Sequence, residues 1–235
     1  ELTRIGLDGA RVTSDVMLGS GRGPAIAWSG STIGVSYMIS PGQIAFRMFD
    51  PEGAPLISEQ GLPGTVDTFH MGTSSSRIVW TGSEFGIAWR DDTPADPAVR
   101  FGRMDADGLH TGIDTSLSPS DWTIYIMDLA WTGSEFLLGR TLDANTYALQ
   151  RLDAIGNPVG DPLSFAPIAM SSDARFGDRL AWSGSAIGLT ECFTLNVFDP
   201  LLSPVAASED LGVPSYPTVS WGGNQFGVAW HFGST

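Results

Sequence analysis

Lysine is missing altogether from these 235 residues, cysteine occurs once and histidine three times. Each shortage removes a class of chemistry. Arg supplies all of the positive charge, 12 residues against 26 Asp and Glu, for a net charge of −14. A polyanion such as nucleic acid would be repelled overall, and so would an anionic membrane surface. A lone Cys192 makes neither an internal disulfide nor a cysteine metal cluster. His70, His110 and His231 stand at unrelated places, without zinc-ligand spacing. No segment approaches the ~18 consecutive apolar residues of a membrane span. A Gly-x-Ser-x-Gly elbow and a phosphate-binding loop are also missing, and Gly19-Ser-Gly-Arg-Gly23 reads as a plain loop. The sequence begins at Glu1 rather than Met, as expected of a processed or a trimmed chain, in which any signal peptide would already be gone.

What is present is a repeat. Five segments align without gaps: Trp28-Ser-Gly-Ser-Thr-Ile-Gly34, Trp80-Thr-Gly-Ser-Glu-Phe-Gly86, Trp131-Thr-Gly-Ser-Glu-Phe-Leu137, Trp182-Ser-Gly-Ser-Ala-Ile-Gly188 and Trp221-Gly-Gly-Asn-Gln-Phe-Gly227. Their Trp residues are 52, 51, 51 and 39 apart, and 42 residues lead from Trp221 through the two ends to Trp28. Each unit reads as four strands. An apolar strand A ends at the Trp, and a Gly-containing turn follows, with Gly free to adopt positive φ. Strand B comes next (Phe85-Gly-Ile-Ala-Trp89), then an alternating strand C (Ile44-Ala-Phe-Arg-Met-Phe49). An Asp-x-x-Gly turn leads to a short strand D, and the fourth unit keeps Asp199 without the Gly. Four strands in ~40–50 residues is the size of a propeller blade.

The fold predicted is all-β: a five-bladed β-propeller of four-stranded antiparallel blades in one domain, residues 1–235. The blades are expected at about 24–61, 76–119, 127–167, 178–211, and 217–235 joined with 1–18. Residues 1–16 resemble strands C and D without A and B, while the last unit supplies A and B alone. Pairing the two halves would close the ring and leave no open sheet edge.

The units resemble the Trp-Ser/Thr-Gly-Ser-x-Phe-Gly repeats of bacterial tandem-repeat β-propellers, a likeness that covers the whole chain. In blade count and length the chain is also similar to tachylectin-2, a five-bladed sugar-binding propeller. That second likeness is architectural, and no sugar-binding motif carries over with it.

Function is expected where the repeats disagree. The A–B and C–D turns are short and uniform at one end of the blades; the B–C and D–A loops at the other end are unequal. Variable loops on a rigid scaffold are the usual home of binding residues. Three residues before the Trp stand Ala25, Arg77, Asp128, Arg179 and Thr218, a ring near the channel mouth. Arg77, Asp128 and Arg179 read either as an anion-binding cluster or as an inter-blade ion-pair network, and the network is the commoner outcome. Nine residues after the Trp stand Tyr37, Trp89, Arg140, Glu191 and Trp230. Aromatics here would stack on sugars or, more commonly, pack between blades, with Arg140 and Glu191 placing the position near the rim.

Asp91, Asp92 and Asp96, with Asp67 and His70 in a neighbouring loop, read as solvated loop charge. They are also the one place a structural calcium would suit, and no other cofactor is implied. Trp122 and Tyr125 sit in a loop and need cover or a partner. The leading expectation is a non-enzymatic, monomeric binding module for carbohydrate or another polar ligand, extracellular, periplasmic or on the cell surface. The alternatives are a protein-interaction scaffold and a small glycosidase using Asp91, Asp128 or Glu191 across a pocket.

Overall fold

The structure is a computed structural model. It describes residues 1–12, 14–17, 19–39, 42–65, 76–93, 97–117, 126–142, 146–165, 179–191, 194–212 and 215–231. The strands fall into five antiparallel sheets in chain order. The first sheet holds β1 (Arg22–Trp28), β2 (Ile33–Ile39), β3 (Gln43–Phe49) and β4 (Gln60–Gly61). The second holds β5 (Ser76–Trp80), β6 (Glu84–Asp91), β7 (Ala98–Asp105) and β8 (His110–Leu117). The third holds β9 (Ile126–Trp131), β10 (Phe136–Thr141), β11 (Tyr147–Leu152) and β12 (Pro158–Phe165). The fourth holds β13 (Leu180–Trp182), β14 (Ile187–Glu191), β15 (Thr194–Phe198) and β16 (Glu209–Asp210), and the fifth holds β17 (Ser215–Trp221) and β18 (Phe226–His231).

The repeated residues make the turns. After each Trp of the first four units a Ser or Thr hydroxyl accepts a backbone N–H three residues on, as Thr81 Oγ1 does from Glu84 at 3.0 Å. The next residue, Gly82, has φ of +105°, a backbone that only glycine adopts freely. In the second turn the Asp carboxylate accepts backbone N–H groups across the loop, as Asp153 Oδ1 does from Ile155 and Asn157. Here the fourth unit places Leu202 where the first three have Gly, and among the described residues Leu202 is the non-glycine residue with positive φ, 65°. Holding it there costs roughly 1–2 kcal/mol. Its side chain is buried with Leu137, Ile187 and Phe198, a contribution of about 1.5–3 kcal/mol that offsets the strain.

A second rule sets one sheet on the next. A Cβ on Gly34 would fall 2.6 Å from the Phe85 ring of the second sheet, and one on Gly86 would fall 2.4 Å from Phe136 of the third. One on Gly188 would fall 2.8 Å from Phe226 of the fifth. Gly34, Gly86 and Gly188 are thus seats for the aromatic ring of the following unit, whereas Gly227 meets no ring among the described residues. The third unit departs from the motif with Leu137, and the fourth answers with Ile187 in place of Phe; the two pack in one cluster. Each ring also leans on the Trp of its own unit, with centroids 4.6 Å apart for Trp80–Phe85 and 4.5 Å for Trp131–Phe136. The apolar core therefore lies between sheets, in clusters around Phe46–Phe85, Phe101–Phe136 and Leu149–Ile187.

The chain ends behave differently. Residues 1–17 fold back on themselves through the bridges Leu2–Val16 and Ile5–Arg11, and Leu2 and Val16 pack on Ile33, Val35 and Phe49 of the first sheet. Among the described residues β18 pairs with β17 and no backbone pairing joins it to this hairpin. Val16 lies 3.0 Å from the Cβ position of Gly53, much as Thr115 of the second sheet lies 3.5 Å from that of Gly156 in the third.

Candidate functional site

The first strand of every sheet is an edge strand, so one row of its backbone N–H and C=O groups is unused by the ladder. These five edges surround one cavity of about 600 Å³, whose wall includes Ile26, Arg77, Asp128, Ala181 and Ser220. That size matches small-molecule sites, which run roughly 300–1,000 Å³. Backbone groups and two charged side chains make its lining strongly polar.

Two of the three ring residues meet within it. Asp128 Oδ1 lies 3.9 Å from Arg77 Nε and accepts the Leu129 N–H at 2.8 Å. Its Oδ2 accepts the backbone N–H groups of Arg179 and Leu180 at 2.9 and 2.8 Å. Asp128 therefore ties the third sheet to the second and fourth. Arg179 is buried, and it is its backbone amide that meets Asp128. Similar polar ties join other sheets at this level: the Ser36 and Ser76 hydroxyls at 2.9 Å, and Thr190 Oγ1 donating to Pro217 O at 3.5 Å.

Asp91 and Asp92 are not solvated, contrary to expectation. Asp91 is sealed from solvent and Asp92 nearly so. Asp91 Oδ2 takes the Arg100 Nε–H at 2.5 Å, while Oδ1 takes Thr65 N–H, Thr93 N–H and the Thr93 hydroxyl at 3.0, 3.0 and 2.6 Å. Burial alone would raise its pKa, but the bonds from Thr93, Arg100 and Thr65 outweigh burial and hold it below the usual 3.8. Asp92 pairs with Arg90. Arg90, Arg100 and Thr65 drew no notice in the sequence; charged residues inside otherwise apolar strands were the available signal. Neither Asp91 nor Asp92 borders the cavity.

Of the outer ring of candidates, Tyr37 and Trp89 are core residues, as the packing reading held. Trp89 Nε1 donates to Pro63 O at 2.8 Å. Tyr37 donates to Glu59, and burial together with that bond pushes its pKa up to about 12. Trp230 is partly exposed. Arg140 stands one residue before the end of β10 and is only 6% exposed. Strand alternation places it beyond Phe136 and Leu138 on the face turned to the second sheet. Trp122, Tyr125, Asp67, His70 and Asp96 lie outside the described residues, as does the side chain of Glu191. Among the described residues no group of three His, Cys, Asp or Glu is placed to hold a metal, and no helix is long and apolar enough to cross a membrane.

No protein-family model matches the chain, and no curated protein sequence does. Solved structures do. A protein of unknown function from Bacteroides caccae has a TM-score of 0.47 at 10% identity, covering 79% of this chain and 60% of its own. TolB from Acinetobacter baumannii has 0.47 at 14%, covering 82% and 44%, so the chain spans less than two thirds of both proteins. The lectin SapL1, solved in complex with alpha methyl fucoside, reaches 0.53 at 14% identity, covering 93% of this chain and 76% of that one. At such identities the likeness concerns fold alone. The chain is all-β, built of antiparallel four-stranded sheets, and its structural neighbours are β-propellers.

Proposed function

We propose that the chain is a five-bladed propeller whose N-terminal hairpin and fifth sheet share the last blade, and that it binds a carbohydrate or similar polar ligand at the cavity mouth. The cavity carries this reading. One polar space about 600 Å³ in volume is reached by edge strands of all five sheets, and unused backbone donors and acceptors suit hydroxyl-rich ligands. The seating of Val16 against Gly53 supports closure, because Thr115 is seated on Gly156 in the same way. The fold likeness to a lectin solved with a fucoside supports sugar as the ligand class. An exported or surface-associated binder is the setting that fits.

The test is a glycan array followed by saturation-transfer NMR with methyl fucoside and other neutral monosaccharides. Binding is expected for the wild type. Arg77→Met, which keeps the volume of a residue lining the cavity, is expected to weaken it at least tenfold. A protein that binds no sugar at any concentration is not a lectin.

A further inference from the structure

Asp128 shows what the backbone around the cavity asks of an acceptor. The bonds that close the A–B turns of the third and fourth sheets, Thr132 N–H to Glu135 O and Ser183 N–H to Ala186 O, are both 2.9 Å. Counting back from them along each antiparallel ladder makes Leu129–Leu138 and Leu180–Leu189 non-hydrogen-bonded pairs. The amides of Leu129 and Leu180 therefore turn off the ladder, towards the cavity that both residues line. One carboxylate spans the two strands. Asp128 Oδ1 accepts from Leu129 at 2.8 Å and Oδ2 from Leu180 at 2.8 Å, with the Arg179 N–H at 2.9 Å beside it.

The junction between the first and second sheets repeats this backbone without the carboxylate. Ser29 N–H to Thr32 O at 3.0 Å and Thr81 N–H to Glu84 O at 2.9 Å close its turns. The same count makes Ile26–Val35 and Ile78–Ile87 non-hydrogen-bonded pairs, so the amides of Ile26 and Ile78 also turn to the cavity. Ala25 stands where the third unit has Asp128, and Arg77 where the fourth has Arg179; all four residues line the cavity. The Ala25 methyl has no acceptor to offer the two amides. Elsewhere the place is taken. Leu129 and Leu180 already give their amides to Asp128, and the fifth unit brings the Thr218 hydroxyl. The first junction is where both amides remain and the side chain between them is smallest.

Charge favours an anion there. Convergent backbone N–H groups make anion-binding concavities, and hydrogen bonds to an ionised acceptor are about twice as strong as neutral ones. Arg77 adds a guanidinium to the same wall. The negative charge already present, on Asp128, is spread over three amides and lies 3.9 Å from Arg77 Nε.

We propose that the amides of Ile26 and Ile78, with Arg77 on the wall beside them, are the seat for a carboxylate carried by the ligand. It takes there the place that Asp128 takes between the third and fourth sheets. A carboxylate has two oxygens to share between two strands, whereas a hydroxyl has one. The seat presupposes the cavity reading above and gives its polar ligand an acidic group, as in a uronate.

Thermal unfolding of the full chain tests it, with sodium glucuronate, sodium acetate and glucose as probes at equal ionic strength. Glucuronate a hundredfold above its Kd is expected to raise the wild-type Tm by about 5–10 °C, and glucose at the same concentration to raise it less. Ala25→Asp builds the carboxylate into the chain. It is expected to melt at or above the ligand-free wild type and to lose the glucuronate shift. Acetate protecting as well as glucuronate or better upholds the seat and removes the sugar from it. Glucose protecting the wild type as strongly as glucuronate upholds the polar-ligand cavity and overturns the seat. Protection by neither carboxylate overturns it as well. So does an Ala25→Asp variant that melts below the wild type or that glucuronate still protects, since the two amides are then engaged elsewhere.

Discussion

Ile26 and Ile78 occupy the same place in their units, two residues before the Trp, yet Ile26 is 57% exposed and Ile78 is 8% exposed. The equivalents Leu129, Leu180 and Val219 are as covered as Ile78. The difference is one of neighbours, not of residue type. Every inner strand except β1 follows a complete sheet that packs on it, whereas β1 is preceded by the N-terminal hairpin alone. The junctions from the first sheet through to the fifth also carry polar ties, through Ser36–Ser76, Arg77–Asp128, Asp128–Leu180 and Thr190–Pro217. An apolar face without cover is what the proposed closure through a shared last blade has to explain.

The largest effect is expected at the strongest of those ties. Asp128→Ala leaves three buried amides without an acceptor and Arg77 without its carboxylate, at a cost of about 3–5 kcal/mol in urea unfolding. A loss below 1 kcal/mol would mean the sheets are held together by apolar packing alone. Next comes the comparison itself. Ile78→Ala is expected to cost about 2–4 kcal/mol, and in a closed ring Ile26→Ala costs at least 1 kcal/mol as the fifth blade covers it. A neutral Ile26→Ala breaks the proposed closure.

The seating rule gives a smaller and sharper test. Ile187→Phe alone drives a ring into Leu137 and is expected to cost about 1–3 kcal/mol. Adding Leu137→Gly restores the pairing used between the first and second sheets, so the double variant should recover about 0.5–3 kcal/mol relative to additivity. Strict additivity would sink the rule.

Acidification gives the smallest effect. Asp91 has a folded-state pKa below its unfolded value of about 3.8. Its contribution is therefore complete above that value and is lost as pH falls through the folded pKa. Stability should fall with acid below about pH 4, and Asp91→Asn should flatten that slope in denaturant titrations at stepped pH. An unchanged slope removes Asp91 as its source.

Much of the fold was legible in the sequence because its causes are local. The Trp, the turn hydroxyl, the positive-φ glycine and the turn Asp act within a few residues of themselves, so repetition exposes them. Even the missing glycine of the fourth turn was visible, and Leu202 is where its strain resides. The site was less legible because its chemistry is long-range. Asp91 meets Thr65 across 26 positions and Asp128 meets Leu180 across 52, and neither partner differs in type from an ordinary strand residue. The burial of Arg140 was hidden for a related reason. Charge argues for solvent, and only the row of apolar side chains leading to it reveals burial.

The Phe–Gly seating also fixes the order in which these units can be joined. The second unit carries both a ring and a seat, Phe85 and Gly86, so copies of it could follow one another without limit. The third carries a ring but no seat, because Leu137 fills the space. Only a unit that brings an aliphatic residue in place of the ring can succeed it. By that rule only the first and fourth units, which bring Ile33 and Ile187, could follow the third, so a duplication that set a Phe-bearing unit there would drive a ring into Leu137.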